Sequence, residues 1–421
     1  MLDLIDLFLI CIFLTVYAWA LYNLPILVAG VKNLCRSKQN AQKRNFSDES
    51  FPTFSIVLPV KNEEKVIGRL LDALSKQSYP KDKTEIVIIE DGSTDRTSNI
   101  CMRYAQEHVN VKILHKPFSD GKPSALNYGI KHSRGEIIGV FDADNVPAYD
   151  ALAKVCRYFD DPKVAAVQGR TLSINPKENM LTQFISYEEA VWCEAYLRGK
   201  DVLNLFVHLR GSCQFIKRNV LEDLEGFDED VLAEDMEISA RLTENNYKIR
   251  YASDVHAWQE SPGDLKTLFK QRTRWFRGTI EIAFRYGSLI AKLSKKSIDA
   301  EATLFGPFIL IASLTPYLAA FFALFTIFPF DVLWQVGVQF ATLTTTLTIL
   351  VCGLALIYIS EPKRVRNLLW LPFIYFYWSL QAFIALYAVL LILLRRPRKW
   401  VKTEKKGVIA GSSMVLDRDK V

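Results

Sequence analysis

Charge is missing from four long stretches of this 421-residue chain: residues 7–31, 304–328, 333–359 and 368–394 contain no Asp, Glu, Lys or Arg. Each is longer than the roughly 20 apolar residues a bilayer-spanning helix requires, so the sequence reads as an integral membrane protein. Thr, Ser, Gln and Tyr occur in these stretches without an ion, which disfavours an ion-coupled transporter, because such proteins carry ionisable groups inside the membrane. Paired cysteines are absent too. The seven cysteines form no C-x-x-C pair and no histidine stands at zinc-ligand spacing, which excludes a small disulfide scaffold. They read as reduced thiols of a cytoplasmic or membrane protein. No internal repeat and no low-complexity tract is present, so a solenoid and a disordered chain are excluded as well. The first apolar stretch has no A-x-A cleavage pattern, and Asp3 and Asp6 stand where a signal peptide carries positive charge. It reads as a retained anchor.

Residues 32–303 are polar-patterned and sized for one or two globular domains, which rules out a pure bundle of membrane helices. The formal net charge of +6 is modest, and its placement is more informative. Lys32, Arg36, Lys38, Lys43 and Arg44 follow the anchor with no acid among them. Positive flanks stay in the cytoplasm, so the N-terminus is expected outside and the globular region inside. After the last apolar stretch come Arg395, Arg396, Arg398, Lys399, Lys402, Lys405 and Lys406 against the single acid Glu404. The same rule keeps this tail inside, whereas three crossings after the globular region would put it outside. Residues 368–394, rich in Trp, Tyr, Ser and Gln, are therefore expected to be interfacial or re-entrant, leaving two full crossings. Three crossings with an external tail is the alternative.

Within the globular region, Phe54-Ser-Ile-Val-Leu-Pro-Val60 is a short apolar run, followed by a helical pattern over 63–78 with Val66, Ile67, Leu70, Leu71 and Leu74 on one face. Further apolar runs at 85–90, 111–114 and 136–141 alternate with amphipathic stretches. That alternation predicts a largely parallel sheet with helices on both faces, whose ligands sit at the carboxyl ends of the strands. From about 265 to 293, basic and aromatic residues interleave (Lys266, Phe269, Lys270, Arg272, Arg274, Trp275, Phe276, Arg277), the pattern of an amphipathic helix lying on a membrane surface.

The strand-terminating acids are the candidates for chemistry. Asp91, in Glu-Asp-Gly-Ser, is placed at the sheet rim; as a turn residue it would be ordinary. Asp142-Ala-Asp144 ends the run 137–141, and two carboxylates at that spacing can face one divalent cation, with oxygen ligands suited to Mg2+ or Mn2+. Glu234-Asp235 opens a helical pattern, where acids commonly serve as caps. Lys122, in Gly121-Lys-Pro-Ser, taken alone is a surface lysine, and Gln271-Arg-Thr-Arg-Trp275 taken alone is a solvated basic face.

Their order and combination carry more. Leu58-Pro-Val-Lys-Asn-Glu-Glu64, Glu90-Asp-Gly-Ser93, Gly121-Lys122, Asp142-Ala-Asp144, Glu234-Asp235 and Gln271-Arg-Thr-Arg-Trp275 together resemble the membrane-bound inverting glycosyltransferases of family 2, the cellulose, chitin, hyaluronan and poly-N-acetylglucosamine synthases. The resemblance runs from about Phe54 to Gly278. Arg210-Gly-Ser-Cys213 is similar to their acceptor-side motif. Trp400-Val-Lys-Thr-Glu-Lys-Lys-Gly407 looks like a looser version of their gating motif, with an extra residue before the glycine.

The resemblance implies an α/β fold, a GT-A Rossmann-like catalytic domain joined to transmembrane and interfacial helices. It implies Asp235 as catalytic base with Glu234 positioning it, and Pro59, Lys61, Glu63, Asp91, Lys122, Asp142, Arg272 and Arg274 at a nucleotide-sugar donor. Gly211, Ser212, Cys213, Gln271 and Trp275 would meet the acceptor, and Asp144 with Asp142 would hold Mg2+ or Mn2+. The expected divisions are an anchor at 1–32, a basic linker at 33–52, the transferase domain at 53–262, interfacial helices at 263–300, a membrane region at 301–394 and a basic tail at 395–421. The expected partners are a nucleotide sugar, a glycan or lipid acceptor, the bilayer, and an accessory membrane subunit or a second copy of the chain, with no nucleic acid. Such a protein is a multi-pass cell-membrane enzyme with its catalytic domain in the cytoplasm. The leading expectation is a processive β-glycan synthase. The competing ones are a glycolipid-forming transferase using a diacylglycerol, ceramide or polyprenyl acceptor, and a non-catalytic scaffold or export subunit.

Overall fold

The computed structural model describes residues 4–37, 51–116, 119–287, 289–315, 365–398 and 402–407, with isolated positions between 343 and 356. The expected crossing at 333–359 and most of that at 304–328, the bulk of the 33–52 linker, and Trp400 lie outside these residues.

Eight strands form the sheet: β1 (Phe54–Val60), β2 (Thr84–Glu90), β3 (Val111–His115), β4 (Ile137–Val140), β5 (Val146–Pro147), β6 (Val164–Ser173), β7 (Gln214–Lys217) and β8 (Lys248–Gln259). They lie in the order β3-β2-β1-β4-β7-β6-β8-β5. The first four strands pair in parallel, and β7 runs antiparallel to both β4 and β6. The helices are α1 (Leu4–Ser37), α2 (Ile67–Ser75), α3 (Thr97–Glu107), α4 (Lys122–Lys131), α5 (Ala151–Val155), α6 (Met180–Val191), α7 (Arg198–Val202), α8 (Arg218–Asp223), α9 (Glu234–Glu244), α10 (Leu265–Tyr286), α11 (Lys295–Leu304), α12 (Gly306–Ala312) and α13 (Leu371–Leu393).

Alternation along β1 explains the layers. Phe54, Ile56, Leu58 and Val60 enter a core shared with Ile67, Leu70 and Leu71 of α2, while Val57 joins Val87, Ile89, Leu126 and Ile130 on the other face. A strand buried on both faces is mostly aliphatic, which is why this one reads as a nearly unbroken apolar run, and its one hydroxyl, Ser55, is buried only because it donates to Glu85 at 2.5 Å. The helix expected over 63–78 begins only at Ile67. Asn62 sits at φ 54°, and the amides of Val66 and Ile67 both donate to the Glu63 carbonyl at 3.0 Å, so the charged start of that stretch is a turn at the sheet rim.

Among the described residues, two helices are long and apolar enough to cross a membrane, over Ile10–Cys35 and Val365–Leu393. The first docks on the globular domain through Gly30, where a Cβ would lie 1.9 Å from the Ala195 carbonyl oxygen; only a glycine permits that approach. Lys200 and Asp299, both fully buried, form a 3.1 Å ion pair, and Tyr22 of α1 donates to Asp299 at 2.6 Å. Residues 368–394, expected to be interfacial or re-entrant, do not take a re-entrant form. α13 is one helix of 23 residues whose single proline is in its first turn, where proline is tolerated. Its polar residues find a use in packing: Tyr377 donates to Glu188 of α6 at 3.0 Å.

Candidate active site

The carboxyl end of β4 delivers Asp142 and Asp144, and everything else converges on them. Gly121, at φ 101°, turns the chain into α4 so that Lys122 points back across the sheet rim. The Lys122 ammonium lies 2.8 Å from Asp142 Oδ1 and 3.0 Å from Glu234 Oε1, and donates to the Gly211 carbonyl at 2.9 Å. Three motifs separated in the chain, at Asp142, Gly211 and Glu234, thus share one cation. Burial opposes the charge on Lys122, but Asp142 and Glu234 outweigh it and raise its pKa, so it stays protonated.

Asp235, the second residue of α9, lies beside this cluster. Burial first, and the Glu234 carboxylate second, push its carboxyl up to about 7, against the pull of Lys122, the Met236 amide and Arg274. A carboxylate so poised can take a proton near neutral pH. Gly211, at φ 76°, passes so close that a Cβ there would sit 3.2 Å from Asp235 Oδ2 and 3.3 Å from the Lys122 nitrogen. The left-handed backbone and the absent side chain both require glycine.

Asp144 is buried, yet it already holds a cation. Lys405, from the basic tail, places its ammonium 2.6 Å from Asp144 Oδ2 and donates to the Glu260 carbonyl at 2.9 Å. Burial pushes the Asp144 carboxyl up, but Lys405 and the Glu260 amide outweigh it and hold it below its usual range. The tail is fastened on both sides of this contact. Lys402 meets Glu63 at 2.9 Å, Lys406 meets Glu178 at 2.8 Å, and the backbone amides of Lys406 and Gly407 donate to the Glu260 carboxylate at 2.6 and 3.0 Å. Burial pushes Glu63 up to about 7, with Lys402 opposing and Asp144 adding to the rise.

These residues fit a divalent cation in a particular way. Among the described residues no group of three or more His, Cys, Asp or Glu forms a cage. One or two carboxylates completed by substrate phosphates is, however, the usual arrangement for Mg2+. The Lys405 ammonium marks the position at Asp144 as one that favours positive charge.

Asp91, at the end of β2, accepts a hydrogen bond from the Ser119 hydroxyl, while its other oxygen is buried with no partner among the described residues. Burial raises its pKa despite Ser119, Lys116 and Lys61. Pro59 and Lys61 flank the same rim, the Lys61 carbonyl accepting from Lys402 at 3.0 Å. On α10, Arg274 is close enough for its charge to act on Asp235, and Gln271 and Trp275 are half-buried. Arg272 differs from the expectation of a diphosphate contact: it donates to Glu188 at 2.5 Å and its guanidinium lies 4.4 Å from the Trp275 ring centroid. The acceptor-side motif differs too. Cys213 is fully buried at φ 49°, packed toward Gly169, and the Ser212 hydroxyl accepts from the Asp142 amide at 2.9 Å. A core-facing thiol cannot touch a substrate, so these two residues shape the loop instead. Lys402 and Lys405 stood out in the sequence only as basic residues of the tail, within the 400–407 segment that resembles a gating motif, and Glu260 did not stand out. Glu260 follows β8 directly, the same strand-end signal that marked Asp91 and Asp142.

A doubly covered, mostly parallel sheet with acids at its carboxyl rim defines an α/β protein whose ligand site lies at that rim. The family whose description is "Glycosyltransferase like family 2" matches residues 52–278. The chain belongs to this family and is a glycosyltransferase. It is 32% identical over 287 residues to the probable glycosyltransferase YdaM of Bacillus subtilis, covering 67% of this chain and 68% of that one. It is 34% identical over 259 residues to a beta-monoglucosyldiacylglycerol synthase of Nostoc sp., 60% of this chain and 55% of that one. It is 31% identical over 234 residues to a poly-beta-1,6-N-acetyl-D-glucosamine synthase of Staphylococcus epidermidis, 55% of each. The chain thus spans little more than half the length of the latter two. The fold is also that of a mannosyltransferase from Pyrobaculum calidifontis solved with GDP-Man and Mn2+, at a TM-score of 0.56 and 23% identity over 91% of this chain and 100% of that one.

Proposed function

We propose that this chain transfers a sugar from a UDP-sugar to a hydroxyl of a membrane-delivered acceptor, with inversion, extending a β-linked polysaccharide at the cytoplasmic face of a multi-pass membrane protein. The observation that carries the reading is the meeting of Asp142, Glu234 and Gly211 at the Lys122 ammonium, beside a carboxylate poised near neutrality. In this reading the nucleotide lies along Pro59, Lys61, Glu63 and Asp91, whose unpartnered oxygen accepts from a ribose or base donor. Asp144 and Asp142 would hold Mg2+ or Mn2+, which when bound supplies Lewis-acid stabilisation of the departing diphosphate. Arg274 adds fixed positive charge at the same end. Asp235 takes the proton of the attacking hydroxyl, Lys122 and Glu234 hold it in place, and Trp275 offers an apolar face to the acceptor sugar. Attack opposite the leaving group converts an α-linked donor into a β-linked product.

The tail supports the membrane arrangement. Residues 402–407 contact Glu63, Asp144 and Glu178, which favours a tail on the same side as the catalytic domain. A second reading, formation of a glycolipid by a single transfer, is favoured by the 34% identity to a monoglucosyldiacylglycerol synthase. Incubating the purified full chain with a panel of labelled nucleotide sugars, a membrane extract and Mg2+ or Mn2+, then sizing the product, tests both. A polymer supports the first reading, a single-sugar lipid the second, and no transfer from any donor refutes both.

A further inference from the structure

Behind Trp275, three helices bring polar side chains together at the edge of the membrane region. Arg272 of α10 donates to Glu188 of α6 at 2.5 Å, and Tyr377 of α13 donates to the same oxygen at 3.0 Å. Each of these three helices also carries a polar atom that is buried with no hydrogen-bond partner among the described residues. They are Oε2 of Glu189 on α6, the Thr273 hydroxyl on α10, and both amide atoms of Gln381 on α13. Gln381 is 3% exposed. It lies one turn past Tyr377 on the same helix face, and α13 meets α10 again farther on, where the Tyr387 and Phe269 rings are 5.2 Å apart.

A buried amide without a partner is costly, because its two donors and its acceptor have lost water and gained nothing. Such a group calls for an explanation, and a ligand that completes it supplies one. The neighbours select the ligand. Glu188 and Glu189 disfavour an anion, and the Arg272 charge is already committed to Glu188. What fits is a neutral group that both donates and accepts, which is an alcohol hydroxyl. Arg272 also stacks on Trp275 at 4.4 Å, so the junction adjoins the face assigned to the acceptor.

We infer that Gln381 is a positioning residue for the acceptor, its amide binding a neutral hydroxyl of the sugar or glycerol headgroup that enters along α10 and α13. The inference rests on the proposed transfer reaction and extends it to a residue of the membrane helix. The acceptor hydroxyl donates to Gln381 Oε1 and accepts from Nε2.

The test uses the full chain in lipid nanodiscs, wild type and Gln381→Leu, with two labelled probes, dodecyl β-D-glucoside and dioleoylglycerol. Equilibrium binding of each probe, UDP affinity and thermal unfolding are measured on the same preparations. Gln381→Leu should weaken at least one probe by fivefold or more, leave UDP affinity within twofold, and leave the unfolding temperature equal or higher, since an unpartnered amide is lost. A purely structural glutamine predicts the reverse, a lower unfolding temperature. The probe that responds distinguishes a sugar-terminated acceptor from a glycerol one. Unchanged binding of both probes, binding of neither by the wild type, or a lower unfolding temperature overturns the inference. Failure of the transfer reading appears separately, as wild-type protein that binds a probe but moves no sugar from any nucleotide donor.

Discussion

Replacing Asp235 by asparagine keeps the shape of the side chain and removes its capacity to take a proton. General-base contributions are on the order of 100- to 10,000-fold, so turnover should fall by that range while UDP affinity stays near wild type. The pH dependence follows from the environment. Burial and Glu234 raise the carboxyl to about 7, so the base is protonated and idle in acid. The wild-type rate should climb tenfold per pH unit below about 7 and level off above it, and the residual rate of the variant should lack that limb. Stability moves the other way. A carboxyl whose folded pKa lies above its unfolded value binds more protons when folded, so the fold loses stability as pH rises from the unfolded pKa to the folded one. At about 1.4 kcal/mol per unit, ionising Asp235 costs the fold a few kcal/mol at pH 8. Asp235→Asn should therefore unfold at a higher temperature than wild type at pH 8 and at nearly the same temperature at pH 4. Turnover within threefold of wild type, or an unmoved pH limb, would place the base elsewhere.

Asp144→Ala should abolish cation-dependent transfer; a near wild-type rate with Mg2+ or Mn2+ would remove Asp144 from the cation site. Lys405→Ala leaves the buried Asp144 charge unpaired, a loss of roughly 3 to 5 kcal/mol, so the unfolding temperature should drop in a chelator and recover with Mn2+. Trp275→Ala should weaken acceptor use more than nucleotide binding. An indole face covering a sugar is worth on the order of 1 to 2 kcal/mol at about 25 cal/mol per Å2, near a tenfold effect; weaker UDP binding with normal product length would count against it. A cysteine introduced at Thr403 should resist an impermeant reagent in intact cells and react in inverted vesicles; labelling in intact cells would put the tail outside.

Local pattern alone determined a good deal of this protein. Apolar-rich runs such as 54–60 and 85–90 are strands because burial on both faces favours aliphatic side chains along their length, and that signal needs no tertiary context. The acids ending those runs were legible as site candidates for the same reason, since parallel strands present their carboxyl ends to ligands. Lys122 and Glu234 were legible only by family resemblance, because their partners are distant in the chain. That Lys122 joins Asp142, Glu234 and Gly211 is a consequence of β4, α4, α9 and the 210–213 loop meeting at one rim. The fully buried Cys213, the diversion of Arg272 to Glu188, and Lys405 at Asp144 are likewise products of packing. Whether a charge faces substrate, a neighbour or solvent depends on what the fold places within about 4 Å of it, and Coulombic and hydrogen-bond terms at that range are not written in sequence spacing.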